Sequence, residues 1–301
     1  MKRCFEIGRY VVALAAFACL TGSEHAFAQT LAVEPLKDSG SNIYPAFEGW
    51  YQNSDGTYTL LIGYYNRNKK QVLDVPIGPE NRIEPGGPDQ GQPTHFEVGR
   101  GWGTIAIKVP KDFGDKKLVW TLTANGKTVS VPFGITKGYQ IEPFLDAAMG
   151  NKPPVIKFSE TGAALTGPPG PLSTAQQVNG VVGEDVTLTY WVTDDGHEEP
   201  PTGGSAAAPP PGGAAAGPPR RPRVSTTLTK YRGPGEITFA DSTPAIEKDK
   251  VTTTAKFSMP GEYIIRIEGN DSSGVGGGGF QCCWTTAYIK VNVKAAATGG
   301  K

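Results

Sequence analysis

The sequence predicts an all-β protein made of two β-sandwich domains in tandem. Three observations predict it. Helical periodicity is nearly absent along the chain. Short β-rich runs recur between turn signals. Gly 40 and Pro 26 in 301 residues supply the punctuation that such runs need. A formal net charge of zero leaves no basic field to attract nucleic acid.

Residues 1–28 read as a secretory signal peptide. Lys2, Arg3 and Arg9 carry the positive charge, Val11–Leu20 is apolar, and Ala26-Phe27-Ala28 is an A-x-A cleavage site. The apolar run is too short for a permanent span, and no later stretch approaches the roughly 20 apolar residues of one. A lipoprotein reading would anchor through Cys19 but lacks the usual Leu three residues before it. The mature chain, of about 270 residues, suits two domains. It is expected to be periplasmic or secreted, in a compartment that permits disulfides.

A first domain is expected over 42–142. "TYTLLIGYYN" (57–66) follows the turn "NSDG". "FEVGRGWGTIAIKVP" (96–110) reads as a strand, a glycine turn and a second strand. "KLVWTLTANGKTVSVPF" (117–133) is a hairpin turned by Asn125-Gly126, a strong short-range hairpin signal. These lengths suit a sandwich of about seven strands. Residues 143–154 read as a linker and 155–294 as the second domain, with 295–301 as a disordered tail. Within the second domain, "HEEPPTGGSAAAPPPGGAAAGPPRRPR" (197–223) has almost no large apolar residue, so it is expected to be a disordered or polyproline-like loop. It reads either as an inert insertion or as a tether around "PPRRPR".

The remaining strands of the second domain are "EDVTLTYWVTDDG" (184–196), "VSTTLTKY" (224–231), "GEITFA" (235–240), "VTTTAKF" (251–257), "GEYIIRIEGND" (261–271) and "TTAYIKVNV" (285–293). In "VTDDG", "KYRGPGEITF" and "TTTAKFSMPGEYIIRIEGNDSSG", taken in that order, this half resembles the PKD/REJ-type immunoglobulin-like modules of exported bacterial proteins over about 180–293. The resemblance implies an immunoglobulin-like or fibronectin-like sandwich, although Leu228 stands where such modules often carry a core Trp. Independently, Gly261-Glu262-Tyr263 has the form of a tyrosine corner, with Tyr263 at the start of strand F. The position two residues on is Ile265 rather than Cys, so this sandwich is expected to rely on apolar packing.

With 185–193 as strand B, 263–269 as F and 284–293 as G, the B–C and F–G loops emerge at one end. That end gathers Asp194, Asp195, His197, Asn270, Asp271, Cys282 and Cys283. The aspartates could offer oxygen ligands to Ca²⁺, or they are ordinary turn chemistry. The cysteines admit several readings: a vicinal disulfide in a distorted turn, two free thiols, an intermolecular disulfide, or a thiolate metal site completed by His197.

After signal cleavage only His95 and His197 remain, and no P-loop, dinucleotide fingerprint or HExxH motif is present, so no enzyme is expected. The aromatic residues Trp50, Tyr51, Tyr58, Tyr64, Tyr65 and Trp102 read as core or as a sugar-stacking face. The chain is therefore expected to be a non-enzymatic binding or structural module of the cell envelope. Its partner would be another envelope protein, met through the B–C/F–G end. The alternatives are a carbohydrate-binding accessory protein and a metal or redox protein using Cys282 and Cys283.

Overall fold

Alternating apolar residues dictate two separate cores. A computed structural model describes residues 35–147, 150–196, 224–271, 274 and 282–297. The chain divides after Pro35, and both cores belong to the unit from Leu36 onward. The segments expected to be a signal peptide (1–28) and a disordered loop (197–223) lie outside the described residues.

The first half contains β1 (Ile43–Gln52), β2 (Tyr58–Asn66), β3 (Leu73–Asp74), β4 (Asn81–Glu84), β5 (His95–Phe96), β6 (Gly99–Val109), β7 (Leu118–Ala124) and β8 (Lys127–Phe133). They form sheets β1-β2-β6 and β4-β7-β8 and a short β3-β5 ladder, rather than the two sheets of a seven-strand sandwich. Leu60, Ile62, Ile83, Ile105, Phe96, Trp120 and Leu122 fill the core between them. Buried Asn81 ties it together: it accepts from Trp120 Nε1 at 2.9 Å and donates to the carbonyls of Val75 and Pro93. Asn125 (φ 50°) and Gly126 (φ 71°) turn the β7–β8 hairpin with the left-handed pair that a two-residue turn requires. One expectation is corrected. The glycines of 96–110 do not turn the chain, because Gly99–Val109 is one continuous strand.

Two bulges explain those glycines. β1 and β2 slip in register between Phe47 and Gly49, so Glu48 is an extra residue. β2 and β6 slip between Ile62 and Tyr64, opposite residues 102–104. Bulges re-aim side chains. Here they bring Glu48 Oε2 to within 2.7 Å of the Gly103 N–H and Oε1 to within 2.6 Å of Arg100 Nη2. Gly63 lies beneath this contact. A Cβ there would sit 2.1 Å from Glu48 Oε1 and 2.2 Å from the Gly101 carbonyl oxygen.

The second half contains β9 (Val155–Lys157), β10 (Leu165–Thr166), β11 (Gln176–Val181), β12 (Val186–Thr193), β13 (Val224–Arg232), β14 (Ile237–Phe239), β15 (Lys250–Phe257), β16 (Gly261–Asp271) and β17 (Trp284–Lys294). One sheet runs β10-β9-β12-β15-β14 and the other β11-β17-β16-β13, with β11 parallel to β17. Leu188, Tyr190, Val192, Leu228, Phe257, Tyr263, Ile265, Ile267, Ile289 and Val291 fill the core between these sheets. The Tyr263 hydroxyl donates to the Met259 carbonyl at 2.9 Å, pinning the corner before β16. No helix among the described residues is long and apolar enough to cross a membrane.

The outer face of β13-β16-β17 packs on the outer face of β1-β2-β6. Trp284 enters a cluster with Leu61 and Ile141, flanked by Tyr51, Trp102 and Ala106. The Tyr288 hydroxyl donates to the Thr104 carbonyl at 2.8 Å, and the Tyr231 hydroxyl donates to the Gly91 carbonyl at 2.6 Å. Arg266 Nη2 donates to the Trp102 carbonyl at 2.7 Å. Arg232 grips Asp89 in bidentate fashion at 2.8 and 3.0 Å, and Lys230 reaches Asp74 at 3.1 Å. Part of the 143–154 segment, expected to be a linker, is packed: Asn151, Pro153 and Pro154 are buried, while Phe144 and Leu145 are exposed.

Gly63→Ala is expected to cost about 1–3 kcal/mol of stability, because backbone on one side and the Glu48–Arg100 contact on the other leave no room for the methyl group. Chemical denaturation of the two proteins side by side checks this. A second expectation concerns pH. Burial, the dominant influence, pushes the Glu48 carboxyl from 4.5 up to about 7, against the opposing pull of Arg100 and the Gly103 N–H. The folded state then holds this proton more tightly than the unfolded state. The Glu48 contribution to stability should therefore fall as pH rises from about 4.5 to 7 and level off above, with a slope of at most about 1.4 kcal/mol per pH unit. Glu48→Gln, which cannot titrate, should lose that component when melting is followed across the window.

Candidate functional site

β12 ends at Thr193 and β13 begins at Val224, while β16 ends at Asp271 and β17 begins at Trp284. Val224 pairs with Asp271 and Trp284 with Asn270, so these strand ends meet at one end of the sandwich. Alternation along β12 carries the inward row Leu188, Tyr190, Val192 on to Asp194, and along β16 the row Ile265, Ile267 on to Asp271. The two carboxylates therefore face each other past the end of the core. Burial raises the Asp194 pKa first, and the neighbouring charges of Asp195 and Asp271 raise it further.

The rest of this end is closed. Asp271 accepts from Asn151 Nδ2 at 2.7 Å. Cys282 and Cys283 are joined as a vicinal disulfide across a cis peptide bond, with Cα atoms 3.2 Å apart. Their sulfurs lie 3.9 and 3.5 Å from the Asn151 carbonyl oxygen. Thr285 Oγ1 donates to the Pro154 carbonyl and accepts from the Gly167 N–H at 2.9 Å. The segment between the halves is thus fastened onto the start of β17.

Several sequence-based expectations change here. Asn270, Asp271, Cys282 and Cys283 were expected on a contact face, yet all four are buried. Asp195 is exposed and Asp194 half-buried, and these two remain reachable. His197 lies outside the described residues. Sulfurs bonded to each other are not thiolates, so the thiolate site is not formed. Among the described residues no three His, Cys, Asp or Glu side chains are gathered in a group that could hold a metal ion. The sugar-stacking face also changes. Trp50 and Tyr64 belong to the first core, Tyr58 packs edge-on against Trp50, and Tyr51 packs edge-on against Phe144. Arg100 covers the Trp102 ring at 4.3 Å.

Besides Tyr51 and Trp102, residues that the sequence did not single out line the seam. A cleft of about 820 Å³ opens beside it, with Tyr51, Asp89, Lys108, Arg232, Glu262 and Lys290 among its walls. Its charged groups are already paired: Arg232 with Asp89, Lys290 with Glu262 at 2.6 Å, and Lys108 with Asp55 at 2.7 Å. The only available signal was the outward row Arg266, Glu268, Asn270 on β16, which by alternation alone reads as a solvated face.

No family model and no curated protein matches the chain. Among solved structures it is similar to an endo-fucoidan hydrolase from glycoside hydrolase family 107, at 14% identity over 75% of this chain with a TM-score of 0.23. The match spans 26% of that hydrolase. It is also similar to domains 4 and 5 of the S-layer protein SbsC, at 12% identity over 84% of this chain and 98% of the other, with a TM-score of 0.23. The D0-D1 domain of intimin matches at 12% identity over 82% of this chain and 97% of the other, with a TM-score of 0.22. Scores of this size carry no argument about activity or partners.

Intact mass of the protein, taken under alkylating conditions before any reductant, should show a monomer lighter by two hydrogens than the form with Cys282 and Cys283 reduced, with no alkyl group on either residue. Two alkylated cysteines would contradict the bond.

Proposed function

We propose that this protein is an exported, non-enzymatic binding or structural module of the cell envelope. Its second half is a PKD/REJ-type immunoglobulin-like sandwich, and it meets a partner protein at the B–C/F–G end. The observation that carries this reading is that the ends of β12, β13, β16 and β17 meet at one end of the sandwich, beside exposed Asp195 and half-buried Asp194, on a base held by the Asn151 contacts. Loops at the end of a β-sandwich are a common place for recognition, because the packed sheets beneath them hold their ends in place. The leader at 1–28 supports export. The non-enzymatic reading draws on His95, both of whose ring nitrogens are committed: Nδ1 to Asp74 at 2.9 Å and Nε2 to Glu97 at 3.3 Å. That leaves neither nitrogen open to act on a substrate.

The test is affinity capture from an envelope extract of the source cells with three forms of the mature protein: wild type, a deletion of 198–222, and Asp194→Ala/Asp195→Ala. The expected outcome is a partner recovered by the wild type and reduced at least about tenfold in both altered forms. Recovery of the same partner by all three would overturn the assignment of the contact to this end. Retention on a polysaccharide array with no protein captured would favour the carbohydrate-binding alternative.

A further inference from the structure

Between the halves lies a second, smaller cavity of about 160 Å³, lined by Tyr64, His95, Glu97, Thr227, Thr229 and Arg266, with Arg100, Lys230 and Glu268 also in its wall. It has room for several water molecules and is smaller than a drug-sized pocket. Its mouth is at Glu97, whose side chain is 45% exposed, while His95, Lys230, Arg266 and Glu268 are all buried.

Most of the charges around it are taken. Arg100 is held by Glu48 and by the carbonyls of Tyr64 and Gly101. Lys230 and His95 share Asp74. Arg266 is different. Its Nη2 serves the Trp102 carbonyl, Thr286 Oγ1 and Glu268, whose Oε2 is 2.5 Å away, but its Nε has no partner among the described residues. A buried charged group with an unmet donor is unfavourable and calls for an acceptor. Glu97 holds His95 through Oε1, and Glu268, two residues along β16, holds Arg266 through Oε2. The hydroxyls of Thr227 and Thr229 complete the wall. Three cations (Arg100, Lys230, Arg266) balance three carboxylates (Asp74, Glu97, Glu268), and burial keeps Glu48 largely protonated up to about pH 7. A lone anion or a lone cation would upset that balance in a low-dielectric site.

We propose that this cavity binds a small zwitterion of amino-acid size, its carboxylate on the Arg266 guanidinium and its ammonium on the carboxylates of Glu97 and Glu268. The site is separate from the B–C/F–G end, and neither reading depends on the other.

Thermal melting and titration calorimetry on the mature protein test this, with glycine, alanine and serine as probes and acetate, methylammonium and glycerol as controls. At least one zwitterion should raise the melting temperature saturably, and acetate or methylammonium alone should not. Thr229→Leu fills the cavity without touching an ion pair. It should weaken binding at least about tenfold while leaving the unliganded melting temperature near that of the wild type. Arg266→Lys should weaken it similarly. If no zwitterion shifts melting, if acetate does so equally well, or if Thr229→Leu responds like the wild type, the proposal is wrong. Should Arg266→Lys fail to fold, Thr229→Leu alone decides the matter.

Discussion

The unit from Leu36 onward depends on one constraint: the polar outer face of β16 is covered by another sheet. Arg266 and Glu268 sit where water would ordinarily solvate them, yet both are buried. Burying charge is tolerable only when every ion is paired and bonded. The first half supplies part of what is needed through its irregularities, leaving Arg266 Nε without a partner among the described residues. The β1 bulge turns Glu48 inward, and the β6 bulge presents the Trp102 and Thr104 carbonyls to Arg266 and Tyr288. Regular strands would have offered a flat face with its carbonyls already paired. Gly63 and Gly103 permit the bulges because a side chain at 63 would meet Glu48, and one at 103 would meet the Trp284 ring at 2.8 Å.

Much of the architecture was legible in the sequence. Alternation in 186–192, 263–267 and 287–293, interrupted on the outer rows by Trp191, Ile264 and Tyr288, marks rows that face a core, and Asn125-Gly126 marks a hairpin, because these signals are local. The tandem of two cores follows from two stretches of such signals. What was not legible is non-local. The glycines of 96–110 signal turn and bulge equally, and only the pairing with β2 decides between them. The row Arg266, Glu268, Asn270 has the pattern of a solvated face, and nothing within β16 reveals that a sheet from about 150 residues earlier in the chain covers it.

At the B–C/F–G end the sequence brought the right residues together but placed them at the wrong depth. Asp271 and the cysteines read as loop-tip groups because glycine surrounds them. Their burial comes from Asn151, a residue in what reads as a spacer. A single Asn amide and carbonyl, one contacting Asp271 and the other lying beside the disulfide, turns a linker into part of the second sandwich. The aromatic residues of the first half carry a similar lesson. Trp50 and Tyr64 belong to its core, because strands this short need large rings to fill the space between sheets.

The keying of Trp284 and Arg266 into the first half has a mechanical consequence. The covalent path between the cores runs through 134–154, but the seam lies in parallel with it. A tensile load between the halves is therefore borne by the two tyrosine hydroxyls, the Arg232–Asp89 fork and the Trp284 cluster together, and the connecting segment is drawn taut only after they have parted. The two halves thus transmit force as one body.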